Sequence, residues 1–187
     1  VFLFKDIFPE ATERQAALYE LNLAATSILE LNGVLEVLLE RLSDLVPRTA
    51  TTVMLLGANQ QLRKVACRGI DENEWKGEPS AKGKLTHPVL KTKDVVFATH
   101  LNAADGGLDA GYFVGKGFES YLGLPLVAKD QVVGILSFYS REARRYDSEE
   151  INFLRSLAAQ AAVAIHNSQL YEQSSRQALA LEKANRV

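Results

Sequence analysis

Residues able to do chemistry are few and scattered in this chain. It holds three histidines, His87, His100 and His166, and a single cysteine, Cys67. His87 and His100 each offer an imidazole to a metal or a haem. Two isolated histidines in loops, with no third close ligand, do not make such a site, and ordinary loop residues are the plainer reading. One cysteine forms no internal disulfide, supplies no four-ligand zinc site and cannot run an intramolecular thiol–disulfide cycle. Cys67 reads as a small buried or half-buried side chain in a strand. Gly115-Lys116-Gly117 invites comparison with a phosphate-binding loop and fails it: the glycine spacing is one short, no Ser or Thr follows the lysine, and no helix follows the loop. Asp105 and Asp109 carry the charge to hold a cation, but their glycine-rich surroundings read as a flexible lid. The remaining candidates are mostly aromatic. Trp75, Phe97, Tyr112, Phe113 and Phe118, with His87 and His100, are placed to line an apolar, loop-covered pocket for a small planar or hydrophobic ligand. Beside this stands the reading that these side chains fill the site and leave it collapsed.

The totals set limits on what such a site can belong to. A chain of 187 residues, 47% hydrophobic and 24% charged, suits one domain with helical extensions. A formal net charge of -2 argues against general nucleic-acid binding, which rests on a clustered basic surface. No apolar run approaches a bilayer-spanning length, and no signal-peptide pattern opens the chain. The expectation is a cytoplasmic module without membrane insertion.

The elements that must position the candidates follow from hydrophobic periodicity. Val1 to Pro9 carries Phe2, Leu3, Phe4, Ile7 and Phe8 and reads as an arm packed on its own domain or on a dimer mate. Ala17, Leu18, Leu21, Ala25, Ile28, Leu29 and Leu31 predict one helix. Asn32-Gly33 reads as its cap. Val34, Leu35, Leu38, Leu39, Leu42, Leu45 and Val46 predict a second helix, stopped by Pro47. Ala50–Leu56 and Leu62–Gly69 predict a hairpin, and Asp71–Gly83 a loop with one helical turn. Thr86 to Lys91 predicts a short helix with Thr86 as N-cap and Pro88 in its first turn. Val95–Thr99 is a third strand, and Leu101–Gly117, with five glycines, a long loop of the kind that is often functional.

The stretch Tyr121–Ala128 puts Leu122, Leu124, Leu126 and Ala128 on one face and Tyr121, Gly123, Pro125 and Val127 on the other. Pro125 marks a bulge or an unpaired position. After the turn Lys129-Asp130-Gln131, Val132–Tyr139 is apolar on both faces, with Val132, Leu136 and Phe138 set against Val133, Ile135 and Tyr139. It must be a central strand covered twice. Asp147 and Glu150 then match a capping box. Ile151, Leu154, Leu157, Ala158, Ala161, Ala162 and Ile165 form the stripe of a helix that runs without a breaker toward Asn185, about 58 Å at 1.5 Å per residue. A helix so long must project and take a partner helix.

Several of these pieces carry a resemblance. Leu124-Pro125-Leu126, Val133-Gly134-Ile135-Leu136, and Tyr146-Asp147-Ser148-Glu149-Glu150 followed by Leu154, Ala158 and Ala162 resemble the corresponding motifs of GAF domains. Asn32-Gly33-Val34-Leu35-Glu36 is similar to that family's second-helix entry. The resemblance covers about Glu20 to Gln173. It implies an α+β fold with a central antiparallel sheet of five or six strands, terminal helices on one face and ligand-pocket loops on the other. It also implies a homodimer through the terminal helices, for which Leu18, Leu21, Ala25, Leu154, Ala158, Ala161 and Ile165 are the candidate residues. Residues 1–17 would be an arm and helix start, 18–171 the sensory domain, and 172–187 a signalling helix similar to the one preceding the phosphoacceptor helix of a sensor histidine kinase.

On that resemblance the chain is a regulatory small-molecule-sensing domain that signals to a kinase module in cis, outside this sequence, with no enzyme activity of its own. The alternatives are a ligand-free dimerisation connector, or the sensor domain of a transcription activator or a diguanylate cyclase. The phosphodiesterase branch's cyclic-nucleotide signature cannot be placed here. Cys67, in a strand and followed by Arg68, does not suit covalent bilin. Neither haem nor a cyclic nucleotide is expected, and the cofactor, if any, is unknown.

Overall fold

The structure is a computed structural model that describes residues 30–79, 87–105 and 109–184. The arm and first helix expected in residues 1–29, with Leu18, Leu21 and Ala25, lie outside the described residues. Helix α1, Leu31–Leu45, buries Val34, Leu35, Leu38, Leu39, Leu42 and Leu45, the stripe that periodicity predicts. Asn32-Gly33 is not a helix end, as expected, but lies in the first turn of α1 after an N-cap at Glu30. The apolar period begins at Leu31, and it outweighs one glycine with open space around it.

Five antiparallel strands follow: β1 Thr49–Leu56, β2 Leu62–Arg68, β3 Val96–Ala98, β4 Ser120–Ala128 and β5 Gln131–Ser140. Their order across the sheet is β2-β1-β5-β4-β3, so β5 is central, as its two apolar faces require. A two-residue turn joins β4 to β5, with Lys129 and Asp130 both at positive φ, 49° and 61°. That is the backbone of a type I′ hairpin, whose twist suits the flanking strands. Pro125 pairs with Ile135 of β5 at a level that β3, which reaches only Tyr121–Gly123, does not cover. Its missing N–H therefore interrupts no second ladder.

One predicted detail is reversed. Leu126 pairs with Gly134 and Val127 with Val132, so Val133 is an extra residue on β5. A one-residue bulge exchanges the faces of everything beyond it. Val133 thus packs with Leu136 and Phe138, while Val132 joins Ile135 on the opposite side.

Two layers cover the sheet. On one face α1 and the first half of α5, Ser148–Ala184, enclose Val53, Leu55, Leu122, Leu124, Leu126, Leu136 and Phe138. On the other lie three short helices: α2 Glu72–Gly77, α3 Pro88–Thr92 and α4 Ala110–Gly115. Helix α3 is capped by His87 rather than Thr86, and Pro88 is in its first turn. Helix α4 occupies part of what the glycines of Leu101–Gly117 suggested was loop throughout. The capping box at the start of α5 forms as expected: Asp147 N–H donates to Glu150 Oε2 at 2.9 Å, and Glu150 N–H to Asp147 Oδ1 at 2.8 Å. Arg144 adds an ion pair to Glu150 at 3.2 Å, nearly out of solvent.

Gly134 leaves no room for a side chain between strands β5 and β1. A Cβ there would sit 2.4 Å from the carbonyl oxygen of Met54, a backbone atom that cannot swing aside. Gly134→Ala should lower unfolding free energy by about 3 kcal/mol, the upper range for overpacking. Urea denaturation with an unchanged midpoint would contradict this close approach.

Candidate functional site

The face of the sheet opposite α1 and α5 carries the concentrated polar and aromatic chemistry. Ala50 and Met54 from β1, Tyr121 from β4 and Tyr139 from β5 form its floor. Trp75 from α2, Ala110 and Phe113 from α4, and Phe118 just before β4 form its roof. Trp75 and Phe113 are 1% and 0% exposed. Phe113 lies flat on Tyr139, ring centroids 3.4 Å apart and planes within 5°. Phe118 meets Phe113 edge-on at 5.6 Å, and Tyr121 lies 5.1 Å from Tyr139. Tyr121 Oη and Ser137 Oγ share a buried hydrogen bond of 3.3 Å. Burial raises both tyrosine hydroxyls above their ordinary range, so they stay protonated.

A buried ion pair closes one side. Lys64 Nζ, on β2, stands 3.2 Å from Asp109 Oδ2, and both side chains are nearly inaccessible. The same ammonium donates to the carbonyl oxygens of Trp75 at 2.9 Å and Glu78 at 3.2 Å, and lies 5.3 Å from the Trp75 ring. Asp109 is the N-cap of α4 but holds φ 51° and caps no N–H with its side chain. A non-glycine residue in the left-handed region is strained. The roof is also tied from outside, where Glu74 of α2 takes Lys116 Nζ at 2.5 Å and the Tyr112 hydroxyl at 3.5 Å.

His87 stands near the same layer, its ring 6.4 Å from that of Tyr121. Its Nδ1 accepts from Val89 N–H at 3.4 Å, which leaves the proton on Nε2. Among the described residues neither Nε2 nor Trp75 Nε1 finds a hydrogen-bond partner, and Asp109 Oδ2 has only its ion pair with Lys64. Burial lowers the His87 pKa to about 4, so the ring is neutral at pH 7.

Of the seven predicted pocket residues the structure brings Trp75, Tyr112, Phe113 and Phe118 together, with His87 adjoining. Phe97 does not belong with them. It pairs with Leu122, which faces the helix layer, so Phe97 shares that face, at the sheet edge and 63% exposed. His100 is not in this cluster but exposed in an open cleft of about 1250 Å³ that it lines with Arg48, Arg141 and Arg145 and that adjoins the aromatic site through Ala50 and Phe118.

Sequence reading left out Tyr121, Tyr139 and Lys64, and weighed Asp109 only as a cation ligand or part of a flexible lid. Strand alternation already set the two tyrosines opposite the leucines. Nothing marks Lys64, since a lone strand lysine ordinarily reads as solvated. The cation reading of Asp105 and Asp109 fails: Asp109 faces Lys64, and Asp105 accepts from Asn102 N–H at 2.9 Å. No cluster able to hold a metal occurs among the described residues. The Cys67 thiol is pushed up to about 11, first by burial and then by Glu72, which keeps it protonated.

The candidate dimer residues of α5 need a correction as well. Leu154, Ala158, Ala161 and Ile165 are at most 1% exposed and are taken up by the domain's own core. The small-residue stripe reflects close packing on the sheet and α1.

Comparison with known proteins agrees with the fold. A family model described as GAF domain matches residues 29–166. The chain belongs to the GAF domain family. A search of the curated proteins found no match. Among solved structures, a GAF domain of a phosphoenolpyruvate-protein phosphotransferase from Coxiella burnetii superposes with TM-score 0.69 at 18% identity, over 88% of this chain and 99% of that one. A domain of a two-component sensor histidine kinase protein from Sinorhizobium meliloti gives 0.63 at 20%, over 78% and 96%. A free methionine-R-sulfoxide reductase from Neisseria meningitidis gives 0.65 at 13%, over 87% and 94%. At such identities these likenesses show the fold alone.

The buried neutral His87 makes GAF-domain stability depend on acid. Its pKa is lowered in the folded state, so between about pH 6.5 and pH 4 the unfolded chain binds a proton that the folded one refuses. Stability from this residue is intact above about pH 6.5, falls as the pH drops to about 4, and changes no further below that. Across that window wild type should lose up to roughly 3 kcal/mol more than His87→Gln. Urea midpoints measured at intervals from pH 7 to 4 check this, and parallel curves would refute it.

Proposed function

We propose that this GAF domain is a regulatory sensor whose roofed aromatic face receives a small molecule and whose long helix carries the response to a histidine kinase module in cis. The observation that carries this reading is the continuity of α5. One helix of 37 residues begins at a capping box beside the end of β5, packs through the core to Ser168, and continues solvent-exposed to Ala184. A disturbance of β5 therefore reaches the tail through unbroken backbone. Fold neighbours described as domains of two-component sensor histidine kinases, from Sinorhizobium meliloti and Bacillus halodurans, support the choice of output.

The tail also supports a homodimer. At 100° per residue Val163, Leu170 and Leu181 fall within about 20° of one another around the helix, diametrically opposite the core stripe. All three are exposed apolar side chains. This line suits a second copy of α5 better than the buried residues first considered. The corresponding division is a sensory domain at 18–171 and a signalling helix at 172–187, catalysing nothing itself. No helix among the described residues is long and apolar enough to cross a membrane, and the working location is the cytoplasm. Sedimentation of the full chain at tens of micromolar should show a dimer that truncation after Asn167 weakens at least tenfold. A monomeric full chain would sink the dimeric output.

A second reading, a connector without ligand, is favoured by the filling of the aromatic face by Phe113 and Trp75. Native mass spectrometry of gently purified protein separates the two. The sensor reading expects retained mass or a ligand-dependent change in the spacing of paired tails, and the connector neither.

A further inference from the structure

The roof helix α4 is attached to the sheet in an unusual way. Among the described residues its backbone hydrogen bonds close locally, between Asp109 and Phe118, and none reaches a strand. It is flanked by two left-handed residues, Asp109 at φ 51° and Gly117 at φ 79°. Only Ala110 and Phe113 are buried on it. Its polar ties beyond Lys64–Asp109 are exposed: Lys116 and Tyr112 to Glu74, and Arg141 Nη1 to the Lys116 carbonyl at 2.6 Å. Exposed ties of this kind hold weakly. What seats α4 is one flat ring on Tyr139 and one buried ion pair.

We propose that Phe113 is an internal surrogate for the ligand, and that this site takes a planar, net-neutral heteroaromatic compound with both hydrogen-bond donors and acceptors. This rests on the sensor reading above. The Phe113 ring occupies the Tyr139 face in the parallel contact a planar ligand would make. Removal of that ring opens a ring-sized space bounded by Tyr139, Phe118 and Tyr112.

Charge selects among planar ligands. Among the described residues the buried charges of the site are one cation and one anion facing each other, Lys64 and Asp109, while Glu74, Lys116 and Arg141 at its rim are exposed to solvent. An entering net charge would stay uncompensated in a dry site, at a large desolvation cost. A neutral heterocycle meets no such cost. It finds polar partners in two buried donors of this face that no described residue accepts, Trp75 Nε1–H and His87 Nε2–H, and in Asp109 Oδ2, which is held only by its ion pair with Lys64. Ligand entry and α4 departure are then a single exchange, ring for ring on Tyr139, and the strained Asp109 backbone is released as the roof lifts.

The test follows the indole N–H resonance of Trp75, the only tryptophan in the chain. The probes are quinazolin-4-one and benzimidazole, both neutral above pH 7 and each with a donor and an acceptor, against benzamidinium and indole-3-carboxylate. In Glu74→Gln, which loosens the roof from outside without making a cavity, the neutral probes should bind at least fivefold tighter than in wild type. In Phe113→Ala the gain should reach tenfold or more, and both charged probes should bind at least tenfold more weakly than the neutral ones. Unchanged affinity in Glu74→Gln overturns the surrogate, even if Phe113→Ala binds through its cavity or fails to fold. Equal binding of charged probes overturns the ligand class. Tighter neutral binding in Glu74→Gln with no change in paired-tail spacing would leave the surrogate standing and defeat the sensor reading instead.

Discussion

The two-sided burial of β5 is the constraint from which the rest of this domain follows. A strand whose residues are apolar on both faces is unstable at an edge and unstable with one face in water. It needs a neighbour on each side and a layer above and below. The first need sets the strand order, with β1 and β4 flanking it. The second requires two unlike layers: leucine-rich α1 and α5 against Leu136 and Phe138, and short helices with aromatic side chains against Ile135 and Tyr139. The layers differ because their connections differ. Long amphipathic helices bring continuous apolar stripes, whereas α2 and α4 bring one large aromatic each and polar ties around it.

Much of this was legible in the chain. Leu122, Leu124, Leu126 and Ala128 alternate without exception, so β4 and its helix-facing side needed only a period of two. Asp147 and Glu150 stand at the spacing of a reciprocal cap, and the cap forms. The misreadings have specific physical sources. The extra residue at Val133 is invisible to alternation, because an apolar residue on either face of a doubly covered strand looks the same. Phe97 carries the composition of a pocket residue, but the register of β3 against Leu122 decides its face, and register is a tertiary property. Lys64 and Asp109 lie 45 positions apart, and neither is informative until the chain brings them together. The stripe Leu154, Ala158, Ala161, Ile165 shows that small residues allow close approach without saying to what.

The two ends of the domain's chemistry are joined through β5. Tyr139 lies under the roof, and the chain leaves the strand one residue later, at Ser140. Glu142 N–H donates to the Ser140 hydroxyl at 3.3 Å, while Ser120 donates to the Glu142 carbonyl at 2.8 Å. Seven residues separate Tyr139 from Asp147, where α5 is capped. Within this span the backbone is fixed by side chains from β4 and by the Arg144–Glu150 pair, so the helix start is held relative to the sheet.

The length of α5 beyond its last core contact has a mechanical consequence. From Gln169 to Ala184 the helix extends about 24 Å at 1.5 Å per residue. Pivoted near Ser168, a tilt of only about 5° displaces its far end by about 2 Å, a shift comparable to those that separate discrete helix packings. The tail is a lever arm whose fulcrum is the edge of the hydrophobic core. By the same geometry a small rotation at the sheet, too slight to change the fold, is magnified along the arm in proportion to its length.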